Sequence, residues 1–219
     1  MEKRLPLIFI LLIFATSLFA QNVSQKEKIQ ILLWAEQEQM PGVEFEGSVE
    51  RIKKTAQFLI EGMVYGWNYE YTPYDKTRNV QEYFEIFPIQ ELTEQEINSI
   101  QYKNTAFKDS RLYARVEFDR SETQKLIYES FESLSSAKIK GKGNAKLEDG
   151  FEGIQSACKN AMKSSVREYW RSKIKNKPKE IDGKLFLCRA PIIGIENGQY
   201  VVTLEFFMET DKITEYKMF

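Results

Sequence analysis

Histidine is absent from all 219 residues of the sequence. Its absence excludes histidine-dependent triads, histidine-ligated zinc sites and imidazole acid–base catalysis. Carboxylates, lysine, tyrosine, serine and threonine remain for any catalysis, and we find no catalytic signature among them. The clustered Asp and Asn pattern of a calcium loop is also missing. We therefore expect a protein that is not an enzyme and that needs neither a cofactor nor a metal ion.

Cysteine is scarce, since Cys158 and Cys188 are the only two. Cys158 falls on the apolar stripe of a predicted helix, and Cys188 lies on a strand expected beneath it. In an oxidising compartment the pair could form a disulfide, which would contribute about 3 kcal/mol. The alternative is two buried free thiols, and the sequence does not decide between them. A thiol nucleophile is not expected, because no histidine can activate it.

An excess of one charge sign is also missing, with 31 Lys and Arg against 32 Asp and Glu. So balanced a chain creates no general field that would attract nucleic acid or an anionic membrane. After the first twenty residues no apolar run is long enough to cross a bilayer. We therefore expect no transmembrane segment in the mature chain and no nucleic-acid partner. The expected partners are another envelope protein or a second copy of this chain.

The first twenty residues have the layout of a secretory signal peptide. Lys3 and Arg4 precede the apolar run Leu5–Phe14, and Ala20 offers the cleavage site. The run is shorter than the roughly 20 residues that span a bilayer, which favours cleavage over an uncleaved anchor. Gln21 stands where a lipoprotein would need cysteine. We expect an exported bacterial protein, periplasmic or alternatively secreted, and not a lipoprotein.

After Gly42 the spacing of the apolar residues is first that of a helix and then that of a strand. Apolar residues three or four apart predict a helix over Val49–Val64, with Ser48 as its N-cap. The alternating segment that begins at Trp67 predicts a strand, and Val80–Ile89 its hairpin partner.

The same periods and capping patterns predict the remaining elements. In the second predicted long helix, small residues recur every four positions, which would let that helix lie close to a sheet. The expected elements are a strand at Ile29–Trp34, a helix at Glu94–Ile100, a strand at Leu112–Phe118, helices at Glu122–Leu134 and Phe151–Trp170, and strands around Asp182-Gly183 and Asn197-Gly198 turns. For the first of these, the capping-box spacing of Ser24 and Glu27 leaves a helix as the alternative.

The second half of the chain repeats the plan of the first. A shift of 102 residues aligns Glu46 with Glu148 and Trp67 with Tyr169 without a gap, which favours duplication. We predict an α+β fold of two related helix-plus-antiparallel-hairpin units, with the sheet covered by helices. The expected divisions are 1–20 (signal peptide), 21–135 (first unit), 136–150 (solvated Gly/Lys-rich connection) and 151–219 (second unit). For the connection, a short strand at 137–140 is left open.

Aromatic residues concentrate in the first unit. Exposed rings on a sheet can stack on sugars or anchor a partner, although aromatic strand residues more often form one face of a core. Tyr74 is the best exposed candidate because it lies in a turn, and Glu70 and Glu85 have the placement of a glycosidase carboxylate pair. The candidate ligand or partner surface consists of Trp67, Tyr69, Tyr71, Tyr74, Glu70 and Glu85.

Two functions remain open. The first is an exported envelope protein that acts as a non-enzymatic interaction or structural module. The alternative is a small-ligand or glycan-binding protein with an aromatic-lined site, and at the extreme a carboxylate glycosidase. The alternative requires the rings to face solvent beside Glu70 or Glu85, and it fails if the first helix buries them.

Overall fold

The computed structural model describes residues 27–37, 46–133 and 136–216, so the predicted signal peptide lies outside the described residues. The described residues form an α+β fold with antiparallel sheets, which confirms the predicted class. The helices are α1 (Glu46–Val64), α2 (Glu94–Ser99), α3 (Glu122–Glu132) and α4 (Gly150–Lys173). The strands are β1 (Lys28–Glu36), β2 (Trp67–Thr72), β3 (Tyr83–Pro88), β4 (Gln101–Lys108), β5 (Arg111–Asp119), β6 (Ala137–Lys146), β7 (Glu180–Leu187), β8 (Ile192–Glu196) and β9 (Gln199–Thr214).

The strands form two antiparallel sheets. The smaller has the order β1-β5-β4, and the larger has the order β3-β2-β7-β9-β6, with β8 also paired to β9. Strands from both predicted units therefore share the larger sheet. The internal duplication stays a prediction. The gapless alignment at a shift of 102 residues matches the two long helices α1 and α4, but it does not match the elements that follow them. Trp67 begins β2, whereas its aligned partner Tyr169 still lies inside α4.

Helix α1 links the two sheets. Its buried stripe, which includes Ile52, Ala56 and Leu59, contacts β1 and β5 of the smaller sheet and β7 of the larger one. Ser48 was predicted to cap this helix, but it lies inside α1, and its hydroxyl donates to the Glu36 carbonyl over 2.8 Å. The hydroxyl thus ties α1 to the end of β1. Across the described ranges, no helix combines the length and the apolar character needed to cross a membrane.

Helix α4 packs closely on the larger sheet, as its small residues predict, and the strand beneath it is β6. A Cβ atom on Gly143 would lie 2.2 Å from the Ala161 nitrogen and 2.3 Å from the Ala157 carbonyl oxygen. The predicted solvated connection over 136–150 instead contains strand β6 (Ala137–Lys146), which is longer than the short strand expected at 137–140. Apolar or small residues alternate with Lys and Asn along β6, but its two most buried positions hold glycine, so the strand pattern is weak in the sequence.

The predicted hairpin at Asp182-Gly183 is also wrong, because both residues lie inside the continuous strand β7, at a register shift against β9. Glycine is required there by close packing and not by a turn. A Cβ on Gly183 would lie 2.1 Å from the Glu209 carbonyl oxygen. The Asn197-Gly198 turn is confirmed, since both residues have positive φ between β8 and β9.

Candidate functional site

Three of the four predicted surface rings lie in the core, since Tyr71 is 2% exposed and belongs to the same buried cluster as Trp67 and Tyr69. Trp67 and Tyr69 are each 1% exposed, and the Trp67 ring stacks on Phe58 of α1 at a centroid distance of 4.9 Å. Their assignment to a ligand or partner surface is therefore wrong. Trp67 and Tyr69 occupy the buried face of β2, where Trp67 lies against α1 and Tyr69 packs on Phe84 of β3. Tyr71 follows on the same face, but it lies at the border of a cavity, and Tyr74 is 48% exposed at the edge of that cavity.

The two predicted carboxylates lie away from that cavity. Glu70 and Glu85 are directly opposite each other in the β2–β3 register, and Glu85 accepts a hydrogen bond from Lys159. Neither side chain lines the cavity that Tyr71 and Tyr74 border. The glycosidase arrangement is thus corrected, because the carboxylates and the candidate rings do not meet around one space.

Cys158 and Cys188 are free thiols, so the disulfide alternative is not formed. Successive residues of β7 point to opposite faces of the sheet. Leu185 and Leu187 belong to the same core cluster as Cys158, whereas Phe186 belongs to the second cluster, against which Cys188 packs. The two thiols thus belong to clusters on opposite faces. Burial raises the pKa of each thiol to about 12, so neither is a reactive thiolate near neutral pH.

A cavity of about 640 Å³ lies between the turn that follows β2 and the C-terminal end of α4. This size falls within the range of small-ligand sites. We refer to it as the α4-end cavity. It combines aromatic and apolar walls with four cationic side chains and a single carboxylate. Its lining residues are Tyr71, Pro73, Tyr74, Glu82, Arg167, Trp170, Arg171, Ile174, Lys175, Lys177, Pro178 and Ile181.

The turn after β2 forms the first wall. Pro73 ends the strand pattern, and Asp75 then pairs with Val80 through two backbone hydrogen bonds of 3.0 and 2.9 Å. The Asp75 carboxylate accepts from the Arg78 guanidinium and from the backbone N–H groups of Thr77 and Arg78. These donors, led by the Arg78 side chain, lower the pKa of Asp75. The pinned turn holds Tyr74 at the cavity edge.

An ion pair forms the second wall. Arg167 of α4 donates two hydrogen bonds to Glu82, from Nε over 2.7 Å and from its terminal nitrogen over 2.6 Å. The Tyr71 hydroxyl donates to the same carboxylate over 3.1 Å. Burial, and then the charge of Glu82, raise the pKa of Tyr71 above its usual value. Both carboxylate oxygens of Glu82 are thus held within the protein, which leaves no free acid on the cavity wall.

The end of α4 and the segment after it form the third wall. Trp170 lines the cavity, and its buried Nε1 leaves only the carbon surface of the indole for contact with a ligand. Arg171 is 79% exposed at the rim. Lys177 donates to the Tyr74 carbonyl over 2.8 Å, and its ammonium lies 5.9 Å from the Tyr74 ring centroid. Lys175 lies between them in sequence and completes the basic rim.

Only Tyr71 and Tyr74 of the residues that line the α4-end cavity are predicted from the sequence, although the sequence contains one further indication of this cavity. The segment from Arg171 to Lys179 places a cation at every second position, directly after Trp170. Basic residues at the end of a helix usually complement its dipole, so the pattern by itself does not indicate a site. The feature that could have indicated the cavity is Trp170, an aromatic residue directly before this run of cations. Glu82 and Arg167 carry no local signal, because they meet only in the folded chain.

Comparisons with known proteins place the chain in a family without a described activity. A family model matches residues 16–216, so the chain belongs to that family, whose domain is of unknown function. The chain is similar to an uncharacterized protein of Treponema pallidum (strain Nichols), with 27% identity over 199 residues that cover 87% of this chain and 83% of the relative. No solved structure matches the chain.

Proposed function

We propose that the protein is an exported, non-enzymatic binding module of the bacterial envelope, and that it binds a small organic ligand in the α4-end cavity. One observation carries the proposal: the cavity joins flat aromatic surfaces and cationic side chains in a space of about 640 Å³. Ligand sites typically have such mostly apolar walls with a few polar groups that fix orientation. Export is proposed from the signal-peptide layout of the first twenty residues.

Binding is a better match to the cavity than catalysis. The lining carries no nucleophile beside a base, and its one carboxylate accepts from Arg167 and Tyr71. The chain offers no histidine to replace it. The proposal therefore revises the small-ligand hypothesis, with the site moved from β2 and β3 to the end of α4.

A neutral aromatic probe tests whether the cavity binds ligands. Naphthalene-2-carboxamide added to the ¹⁵N-labelled exported protein should shift the backbone amide resonances of cavity-lining residues such as Tyr71, Tyr74 and Ile174. The substitution Ile174→Trp should fill part of the cavity and weaken binding at least tenfold. Ile192→Trp is the matched control, because Ile192 lies on β8, is 69% exposed and does not line the cavity.

Shifts confined to other surfaces would contradict the proposal. Equal binding by the Ile174→Trp variant and the wild type would contradict it as well. Circular dichroism of both variants checks that the fold is retained, so that a loss of binding reports the cavity and not unfolding.

A further inference from the structure

We infer that the ligand of the α4-end cavity is a small organic anion, a flat apolar ring that carries a carboxylate or a similar anionic group. This inference rests on the proposed function and adds the chemical class of the ligand. It follows from how the charges of the cavity are paired, from which parts of its rings are available, and from its size.

The cationic side chains of the cavity differ in how well they are neutralised. Arg167 is matched by Glu82 through two short hydrogen bonds, so this pair contributes little net charge. Arg171 has Glu168 as its nearest carboxylate, at 3.9 Å, and both side chains are more than 70% exposed. The attraction between two exposed charges at this separation is weak, so Glu168 neutralises Arg171 only slightly. The charge of Arg171 is therefore available to a ligand.

The two lysines of the rim are also available. Lys177 donates to a backbone carbonyl and not to a carboxylate. Lys175 makes no ion pair with any residue in the described part of the chain. Three cations thus surround the opening in a protein whose net charge is only −1. Such a local concentration of one sign favours ligands of the opposite sign.

The rings next to these cations offer carbon surface. The indole of Trp170 has its Nε1 buried and is held edge-on by Tyr169, with ring centroids 5.1 Å apart. Tyr74 presents a half-exposed ring beside Lys177. Flat apolar groups stack on such surfaces, while carboxylates form charge-assisted hydrogen bonds with Arg and Lys. A ligand that satisfies both parts has an apolar ring and an anionic end.

The size of the cavity limits the ligand to a small molecule. About 640 Å³ accommodates one or two fused rings with substituents. The Arg167–Glu82 pair forms one wall and has no free charge for a ligand. The anionic group of the ligand therefore lies at the rim, where Arg171 and Lys175 are exposed.

A pair of isosteric probes tests this inference by calorimetry at low ionic strength. Naphthalene-2-carboxylate should bind the exported protein at least tenfold more tightly than naphthalene-2-carboxamide, which has the same ring and no charge. The double substitution Arg171→Glu and Lys175→Glu should abolish this preference. Added salt should weaken binding of the carboxylate alone, because exposed charges are screened.

The matched control reverses two charges elsewhere. Lys53→Glu and Lys108→Glu change the net charge equally, and both lysines are exposed and outside the cavity. This variant should keep the full preference for the carboxylate. Equal affinities of the wild type for the two probes would overturn the inference and leave the binding function standing. Binding of neither probe would overturn the proposed function instead. Loss of preference in the control would also overturn the inference, because it would assign the preference to total charge.

Discussion

Gly141 and Gly143 determine how closely α4 can lie on β6. Both positions face the helix, where a Cβ atom would collide with backbone atoms of Ala161. Backbone atoms cannot move aside as the end of a flexible side chain can, so the collision must shift the whole helix. The close approach brings the hydroxyls of Ser164 and Ser165 to the Lys142 and Lys140 carbonyls. These contacts satisfy acceptors at the open edge of the sheet.

Replacing Gly143 by alanine tests this packing. We expect Gly143→Ala to lower the free energy of unfolding by about 1–3 kcal/mol, the usual cost of overpacking. Gly194→Ala is the matched control, because the nearest atom to its added Cβ would be 4.0 Å away. Its effect should stay within about 0.5 kcal/mol. Urea denaturation of both variants provides the measurement, and equal stabilities would contradict the assigned role of Gly143.

The three strands of the smaller sheet are joined by one carboxylate. Glu117 on β5 accepts from Lys103 on β4 over 2.6 Å, and it lies 2.9 Å from Lys28 on β1. These two lysines, Lys103 first, lower the pKa of Glu117 to about 2. The ordinary value for glutamic acid is 4.5, so the ionised form is favoured in the folded state.

The depressed pKa predicts a specific loss of stability in acid. The contribution of Glu117 to the free energy of unfolding is complete above about pH 5. It is lost as the pH falls towards about 2, where the carboxyl group of the folded protein becomes protonated. Glu117→Gln should therefore flatten the decline of the urea midpoint over this range. Glu129→Gln, at an exposed site with no ion pair among the described residues, should retain the decline of the wild type. Identical profiles for Glu117→Gln and the wild type would contradict the account.

The elements that the sequence predicted well have strong local patterns. Helix α2 begins with the capping box that the spacing of Thr93 and Glu96 predicts. Ser121 caps α3 as its position predicts, and Gln124 completes a second capping box there. The strand β4 was missed, because nearly all its residues are exposed and it shows no apolar alternation. An edge strand with two wet faces resembles a loop in sequence. Only the first part of β6, at 137–140, was considered as a strand, because glycine occupies its two most buried positions, 141 and 143.

At the scale of the whole molecule, the α4-end cavity unites distant parts of the chain. Tyr71, Tyr74 and Glu82 come from the first predicted unit, and Trp170 and the basic rim come from the second. They meet because β2 pairs with β7 in the shared sheet, with Tyr71 opposite Ile181. A long-range pairing of this kind has no signature within one window of sequence. The sequence could therefore provide two members of the site, Tyr71 and Tyr74, but not the site.

The structure of the protein with bound naphthalene-2-carboxylate is the most direct test of the α4-end cavity as a binding site. The predicted result is one molecule in the cavity, with its ring against Trp170 or Tyr74 and its carboxylate about 3 Å from a nitrogen of Arg171 or Lys175. An empty cavity at a saturating concentration, or a molecule bound only elsewhere on the surface, would contradict the account.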